Sequence, residues 1–159
     1  MRKILLTITI VLGVSQFAKA QTDLGGGIAL WGDMGIEAKA NFGITEEISI
    51  SPSIDYFLND NSDGGTFLMF NVDGHYNFDV GEGFVAYPLI GISYYYFSYD
   101  TPKYVIDGQT YGGRVSDGDI DLNIGGGATY ALSDSMKLYA EIKFMRSDLG
   151  LSVGVLFGL

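Results

Sequence analysis

The one histidine of the sequence, His75, is the first candidate for chemistry, because hydrolytic and acyl-transfer sites often join a histidine to a serine nucleophile and a carboxylate. Its neighbours are Gly74 and Tyr76, and no serine lies beside it in the sequence. We therefore interpret His75 as a buried structural residue, hydrogen-bonded to Asp73 or Asn77. The sequence contains no cysteine, which excludes disulfides, thiolate zinc sites and cysteine nucleophiles.

Two acidic segments contain some of the oxygen ligands that Ca²⁺ prefers. Residues 59–64 resemble the start of a calcium-binding loop, but the position that requires an acidic residue is occupied by Phe70. Asp117, Asp119 and Asp121 alternate along the chain, and this pattern is more typical of a solvated acidic loop than of a metal site. The sequence therefore predicts no metal and no cofactor.

Residues 1–20 have the three parts of a secretory signal peptide. Two basic residues precede an apolar stretch over 4–14, and the small residues of a cleavage site follow at 18–20. This stretch is too short for a transmembrane helix, which needs about 20 residues. We predict cleavage after Ala20, which leaves a single domain of residues 21–159. The signal holds three basic residues and no acidic one, so the net charge falls from −10 to −13, and nucleic-acid binding is not expected.

Apolar residues recur at every second position through the rest of the chain, which is the spacing of β-strands. Eight segments show this alternation: 24–30, 36–44, 48–58, 68–78, 84–96, 120–132, 136–144 and 151–159. Several are as long as the roughly 9–11 residues of a tilted membrane strand. Short connections at 45–47, 79–83 and 133–135 alternate with longer ones at 59–65 and 100–119. This arrangement predicts antiparallel strands with short turns at one end and the longest loops at the other.

The apolar positions carry aromatic residues near both strand ends, with aliphatic residues between them. Near the short turns these aromatics are Phe42, Tyr76, Phe78, Phe84, Tyr130 and Phe157, and near the loops they are Tyr56, Tyr94, Tyr96 and Phe144. Two aromatic girdles around an apolar band are typical of a barrel wall that faces lipid. The fold prediction is an all-β, eight-stranded antiparallel up-and-down transmembrane barrel. A soluble exported β-sandwich or ligand-binding barrel, with the same alternation turned inside out, is the alternative.

The opposite strand face carries charges of both signs. We predict that they form a paired structural network inside the lumen, where eight strands leave room only for side chains. The predicted network consists of Glu37, Lys39, Asp55, Asp73, His75, Asp121, Glu141 and Lys143. Pro52 and Pro88 interrupt this scheme, because each removes a backbone donor from an edgeless sheet, and we expect a β-bulge at each.

On these residues the mature chain resembles the small eight-stranded outer-membrane barrels of the OmpX and OmpA-barrel type, over about residues 22–159. The alternating apolar residues of 151–159 are similar to the C-terminal signal that the barrel-assembly machinery recognises, although the aromatic stands at Phe157 and the chain ends in Leu159. The resemblance implies a monomeric, non-enzymatic integral protein of a Gram-negative outer membrane, in contact with lipid, with a structural or surface-interaction role.

The stretch 100–119 contains a hairpin signal, since strand-forming residues at 103–106 and 109–111 flank Asp107-Gly108, a type I′ turn pair. The hairpin is expected to extend the fifth and sixth strands outside the membrane, where an exposed edge could pair with a partner strand. In the OmpX group such strands are associated with attachment and defence. A lipid A-modifying enzyme is the alternative function, and it requires His75 beside a serine and facing the outer leaflet.

Overall fold

The computed structural model describes residues 21–58, 65–106, 109–145 and 148–159, and within these it describes no side chains at 104–106 and 110–111. Three sequence predictions fall outside the described residues: the signal peptide 1–20, the calcium-loop resemblance at 59–64 and the turn at 107–108. No helix in the described part of the chain is long and apolar enough to cross a membrane.

The described residues form strands joined by antiparallel pairing throughout. The segments are β1 (Thr22–Trp31), β2 (Asp33–Gly43), β3 (Ile48–Phe57), β4 (Thr66–Tyr76), β5 (Phe78–Gly81), β6 (Phe84–Ile106), β7 (Gln109–Ser133), β8 (Met136–Met145) and β9 (Asp148–Gly158). Strands that are consecutive in the chain pair with each other, except β4 and β5; in addition β1 pairs with β9, and β4 pairs with β6. Strands β4 and β5 pair with β6 in the same register, and only the break at Asn77 separates them. They therefore form one strand of the barrel. The sheet is therefore a closed barrel of eight strands, which confirms the predicted fold class.

The strands β6 and β7 are longer than the alternation predicted. They pair from Phe84 and Tyr130 near one end of the barrel to Ile106 and Gln109 at the other. Among the described residues strand β4 pairs with β6 only as far as Ser98, and beyond it β6 and β7 continue together as a two-stranded ribbon. The predicted extension of the fifth and sixth strands is confirmed, and its position outside the membrane stays a prediction.

The prolines lie in strands without the bulges that the sequence suggested. Pro52 pairs with Val72 on β4, and the β2–β3 register is the same on both sides of it. The pairing with β2 is interrupted at Ser51 and Pro52, where the Ala40 carbonyl lacks its usual backbone N–H donor. The hydroxyl of Ser51 donates to the Ala40 carbonyl instead, over 2.9 Å. The expectation of a bulge here was wrong, because a neighbouring side chain replaces the missing N–H.

Pro88 has the same effect between β6 and the strand formed by β4 and β5. Its pairing with Gly126 on β7 is intact, whereas Tyr76 and Asn77 are skipped on the other side without a change of register. This gap separates β4 from β5. The backbone N–H of Asn77 still donates to the Glu47 carbonyl, over 2.6 Å, which continues the ladder toward β3. The bulge expected at Pro88 was wrong as well.

Candidate functional site

The outer surface of the barrel is apolar. Side chains that alternate along each strand are exposed, and they include Ile36, Val72, Ile90, Leu122 and Val153. In water so large an apolar surface would drive association, whereas hydrocarbon solvates it.

The predicted girdle aromatics lie on this outer surface. Near the short turns, Tyr76 and Phe78 have ring centroids 4.9 Å apart, and Phe84 and Tyr130 are 4.4 Å apart. Toward the other end Tyr94 lies 6.3 Å from Phe70. Most of the remaining girdle positions are exposed (Tyr56, Phe144 and Phe157), and two are half-buried (Phe42 and Tyr96). Their interaction with the headgroup region remains a prediction.

An apolar plug closes the lumen at the ribbon end. Ala29, Phe57, Met69 and Met145 are buried there, and Trp31, Phe67 and Tyr95 pack against them. The Phe57 and Phe67 rings stack with centroids 4.7 Å apart. Phe57 is only 1% exposed, so this layer separates the lumen below it from the ribbon end.

A buried ion network occupies the middle of the lumen and centres on Glu141. Lys39 Nζ donates to Glu141 Oε1 over 2.6 Å and lies 3.9 Å from Glu37. Lys143 Nζ donates to Asp73 over 2.5 Å and lies 3.5 Å from Glu141 Oε2. Each of these five side chains is less than a tenth exposed. The structure therefore places two cations among carboxylates from β2, β4 and β8, as paired buried charges require.

Two tyrosines extend the network. The Tyr87 hydroxyl donates to Glu141 Oε1 over 2.8 Å, and the Tyr139 hydroxyl donates to Glu37 Oε1 over 2.7 Å. Lys39 Nζ also lies 5.1 Å from the centre of the Tyr139 ring, within cation–π range. These tyrosines were not predicted from the sequence. Both stand at inward positions of their strands, which is the signal that would have found them.

A second chain of hydrogen bonds includes Asp55 and consists otherwise of neutral groups. Asn71 Nδ2 donates to Asp55 over 2.9 Å and to Ser53 over 3.1 Å. The Ser93 hydroxyl donates to Asn71 Oδ1 over 2.5 Å, and Asn123 Nδ2 donates to Ser93 over 2.6 Å. This chain crosses from β3 to β7 around the inner wall. Its serine and asparagine members were also missed, since short neutral side chains give no charge pattern in a sequence.

Asp121, the remaining acidic member of the predicted network, lies apart from its centre. It pairs in register with Ser93 near the base of the ribbon, is half-buried, and accepts the backbone N–H of Leu122 over 2.9 Å. At the opposite end of the barrel, Lys137 donates to Asp23 over 2.8 Å.

His75 is buried in the half of the lumen nearest the short turns. Its ring stacks on Tyr87 with centroids 4.3 Å apart, and its Nε2 lies 4.0 Å from Glu141 Oε1 without a hydrogen-bond partner in the described part of the chain. The suggested hydrogen bond of His75 to Asp73 or Asn77 is not made through Nε2. A serine, Ser49, does stand opposite His75 on β3, as cross-strand register rather than sequence proximity dictates.

Ser49 and His75 are not arranged as a nucleophile and its base. Among the described residues no hydrogen bond joins the two side chains, and Ser49 Oγ accepts from Asn77 Nδ2 over 3.2 Å. Nucleophilic catalysis needs the base within hydrogen-bond reach of the attacking oxygen. Nor does the described part of the chain contain a group of three or more histidine, aspartate or glutamate side chains that could hold a metal ion.

Below the ion network the lumen widens into a cavity at the short-turn end, which we call the vestibule. Its volume is about 830 Å³, and its lining includes Lys39, His75 and Tyr87 on the network side and Glu46 and Glu82 from the turns. The lumen is therefore organised as an apolar plug, an ion network and a vestibule in sequence along its axis.

Comparisons with known proteins agree with this architecture. The sequence model of the family described as "Outer membrane protein beta-barrel domain" matches residues 6–154. No curated protein matches the sequence significantly. The structure resembles the N-terminal β-barrel domain of OprF from Pseudomonas aeruginosa, with TM-score 0.64, 12% identity, and coverage of 87% of this chain and 97% of that one.

Two further solved structures are similar. A major outer membrane protein of Thermus thermophilus has TM-score 0.66 at 13% identity, with 88% of this chain and 99% of that chain covered. Ail, the attachment invasion locus protein of Yersinia pestis, has TM-score 0.58 at 13% identity, with 88% and 97% covered. At these identities the likeness concerns the fold alone.

Proposed function

The chain belongs to the family of outer membrane protein beta-barrel domains, and on this premise we propose that it is a non-enzymatic scaffold that displays the β6–β7 ribbon at the surface of a Gram-negative cell. In this proposal residues 1–20 direct export, residues 151–159 engage the barrel-assembly machinery, and the mature protein is a monomer in the outer membrane. The ribbon, within 100–119, is the part that contacts a partner. The observation that carries the proposal is the contrast between a filled lumen and a ribbon built beyond the barrel.

The filled lumen argues against transport. Eight strands leave an interior just wide enough for side chains, and here the apolar plug and the ion network occupy it. A solute would have to separate the Lys39–Glu141 pair and then displace the Phe57 ring. Separating charges that are buried from water is strongly unfavourable.

The position of His75 argues against a lipid A-modifying enzyme. Such chemistry requires the histidine and its serine to face the outer leaflet. In the proposed orientation the short turns are periplasmic, so His75 lies in the inner half of the barrel, buried against Tyr87 and near Glu141. The exposed apolar wall likewise argues against a soluble sandwich.

Site-specific labelling tests the orientation, because the sequence has no native cysteine. Ser116 is exposed on the ribbon, and Ser135 is exposed in the turn between β7 and β8. A membrane-impermeant maleimide should label Ser116→Cys on intact cells and Ser135→Cys only after lysis. Labelling of Ser135→Cys on intact cells, or failure to label Ser116→Cys, would refute surface display of the ribbon.

The chemistry of the partner should differ from that of one structural neighbour. Ail of Yersinia pestis has been solved in complex with the heparin analogue sucrose octasulfate. The described part of the ribbon here carries Asp100, Asp117 and Asp119 against Lys103 and Arg114, with Asp121 at its base. An acidic surface repels sulfates. Purified protein should therefore pass through immobilised heparin at low salt, and retention there would contradict the proposed acidic contact surface.

Attachment itself can be measured with whole cells. Bacteria that display the intact chain should adhere to epithelial monolayers more than bacteria that display a variant in which a two-residue turn replaces residues 100–115. Matched surface amounts, checked by heat-modifiable mobility, exclude a folding defect. Equal adhesion of the two strains would leave the barrel as a structural protein without a surface partner at the ribbon.

A further inference from the structure

The ribbon has two sides without a neighbouring strand. Among the described residues, β7 pairs with β8 only from Ile124 onward, and β6 pairs with β4 only up to Ser98. Beyond these points the described residues give each strand a partner on one side alone. Such an edge is a template for the addition of a further strand from another chain.

The proline at 88 reveals which backbone groups point to each side. In an antiparallel ladder alternate residues direct their N–H and C=O groups to opposite neighbours. Pro88 disrupts pairing with Tyr76 and Asn77 but not with Gly126, so its missing N–H would have pointed toward β4. The backbone N–H and C=O groups of even-numbered residues in β6 therefore point toward β4. Those of even-numbered residues in β7 point toward β8.

In the part of β7 that precedes Ile124, the backbone groups of even-numbered residues form the free edge among the described residues. Their N–H groups are directed away from β6, where no strand of the described chain pairs with them. The free N–H positions nearest the barrel belong to Gly118, Ile120 and Leu122. This is the stretch in which every second residue is an aspartate.

Each of these three N–H groups donates to the side chain of the aspartate that precedes it. Gly118 donates to Asp117 Oδ1, and Ile120 donates to Asp119 Oδ1, both over 2.9 Å. Leu122 donates to Asp121 Oδ1 over the same distance. Three consecutive edge donors are thus occupied by acceptors from their own strand.

The other edge of the ribbon is also irregular. The β6–β7 register shifts between Thr101 and Tyr104, where Pro102 and Lys103 together oppose Gly112. Pro102 has no N–H to offer, and an extra residue bends a strand away from a flat edge. Proline, bulges and charge are recognised means of keeping sheet edges from joining.

We propose that Asp117, Asp119 and Asp121 close the β7 edge to strand addition, and that the strand they exclude is the same edge of a second copy of this chain. Copies in one membrane hold identical edges at the same height, which makes self-association the first hazard of an open edge. The sequence suggested that this edge pairs with a partner strand. The aspartate caps favour contact through ribbon side chains instead. The inference rests on the proposed display of the ribbon, which the labelling of Ser116→Cys tests separately.

Amide hydrogen exchange on the unmodified protein, in detergent micelles, tests the caps directly. Arg114 and Ser116 lie on the same edge but follow Gly113 and Val115, which offer no side-chain acceptor. The amides of Gly118, Ile120 and Leu122 should exchange about tenfold more slowly than those of Arg114 and Ser116, the factor expected for one net hydrogen bond. Equal exchange in the two groups would overturn the assignment of the caps.

Two triple variants test whether the aspartates prevent self-association. Replacement of all three aspartates by alanine removes the acceptors, whereas replacement by asparagine keeps an acceptor oxygen and removes only the charge. Sedimentation at a fixed protein-to-detergent ratio should show at least a roughly tenfold larger dimer fraction for the alanine variant, with the asparagine variant close to the native protein. Heat-modifiable mobility establishes that each variant is folded. A folded, monomeric alanine variant, or equal dimerisation of the asparagine variant, would refute the proposal.

Discussion

Replacing Glu141 with alanine is the most direct perturbation of the ion network. This carboxylate accepts from Lys39 Nζ over 2.6 Å and from the Tyr87 hydroxyl over 2.8 Å, and it lies 3.5 Å from Lys143 Nζ. Its removal leaves Lys39, which is 1% exposed, with Glu37 as the nearest carboxylate at 3.9 Å. Lys143 keeps its closer partner, Asp73.

The expected loss in the free energy of unfolding follows from these distances. Breaking a buried pair by removing one partner costs about 3–5 kcal/mol, because a charge remains without compensation. Since Lys39 and Lys143 each retain a carboxylate, we expect Glu141→Ala to lower the free energy of unfolding by about 3 kcal/mol. Glu141→Gln keeps an acceptor for Lys39 and Tyr87, so we expect a loss of about 1–2 kcal/mol.

A double variant separates pairing from packing. Lys39→Met together with Glu141→Leu removes both charges and retains apolar volume, which is often nearly neutral in buried pairs. We expect the double variant to lose about 1 kcal/mol, much less than the sum of the two single losses. The difference is the coupling between the two side chains.

Urea unfolding from lipid vesicles measures these free energies. Trp31, the single tryptophan of the sequence, packs against the apolar plug and reports unfolding by its fluorescence. Glu46→Gln is the matched control, since it removes an exposed carboxylate from a turn and should change stability by less than about 0.5 kcal/mol. If Glu141→Ala unfolds like the control, or if the double variant loses the full sum of the singles, the network does not hold the barrel together.

Three further outcomes follow from the described contacts. Gly150→Ala should lower the free energy of unfolding by about 1–3 kcal/mol, because a Cβ there would overlap the Trp31 ring, and an unchanged midpoint in urea would contradict this packing. Ser51→Ala should cost about 1–2 kcal/mol by leaving the Ala40 carbonyl without its donor, and a combined Ser51→Ala, Pro52→Ala variant should recover part of that loss if the hydroxyl replaces the missing N–H. In planar bilayers the native protein should show no steady conductance steps, and reproducible single-channel openings would contradict the filled lumen.

The architecture could be predicted from the sequence because, in a barrel strand, odd and even positions face opposite sides of the wall. Inward charges such as Glu37 and Lys143 and outward aromatics such as Phe84 each follow from their place in an alternating strand. A shift of one residue in the assigned alternation would have moved every side chain of a strand to the opposite face of the wall. The assignment of each strand face was therefore strongly constrained.

The partners within the lumen could not be predicted in the same way. Lys39 and Glu141 are 102 residues apart in the chain, and they meet because β2 and β8 face each other across a closed barrel of one particular stagger. Alternation gives the face of a strand but not its stagger. The apolar alternation ends at Tyr96, whereas backbone pairing continues to Ile106, so the length of the two long strands came from the hairpin signal at 103–111 and not from the alternation.

Among the described residues the lumen widens into the vestibule at the short-turn end, and this makes the two sides of the membrane unequal for its ion pairs. Lys39 and His75 form part of the vestibule lining, whereas the apolar plug around Phe57 lies between the ion network and the ribbon side. Screening of buried charges requires that counter-ions reach them. We therefore expect salt on the side of the short turns to weaken these ion pairs more than salt on the side of the ribbon.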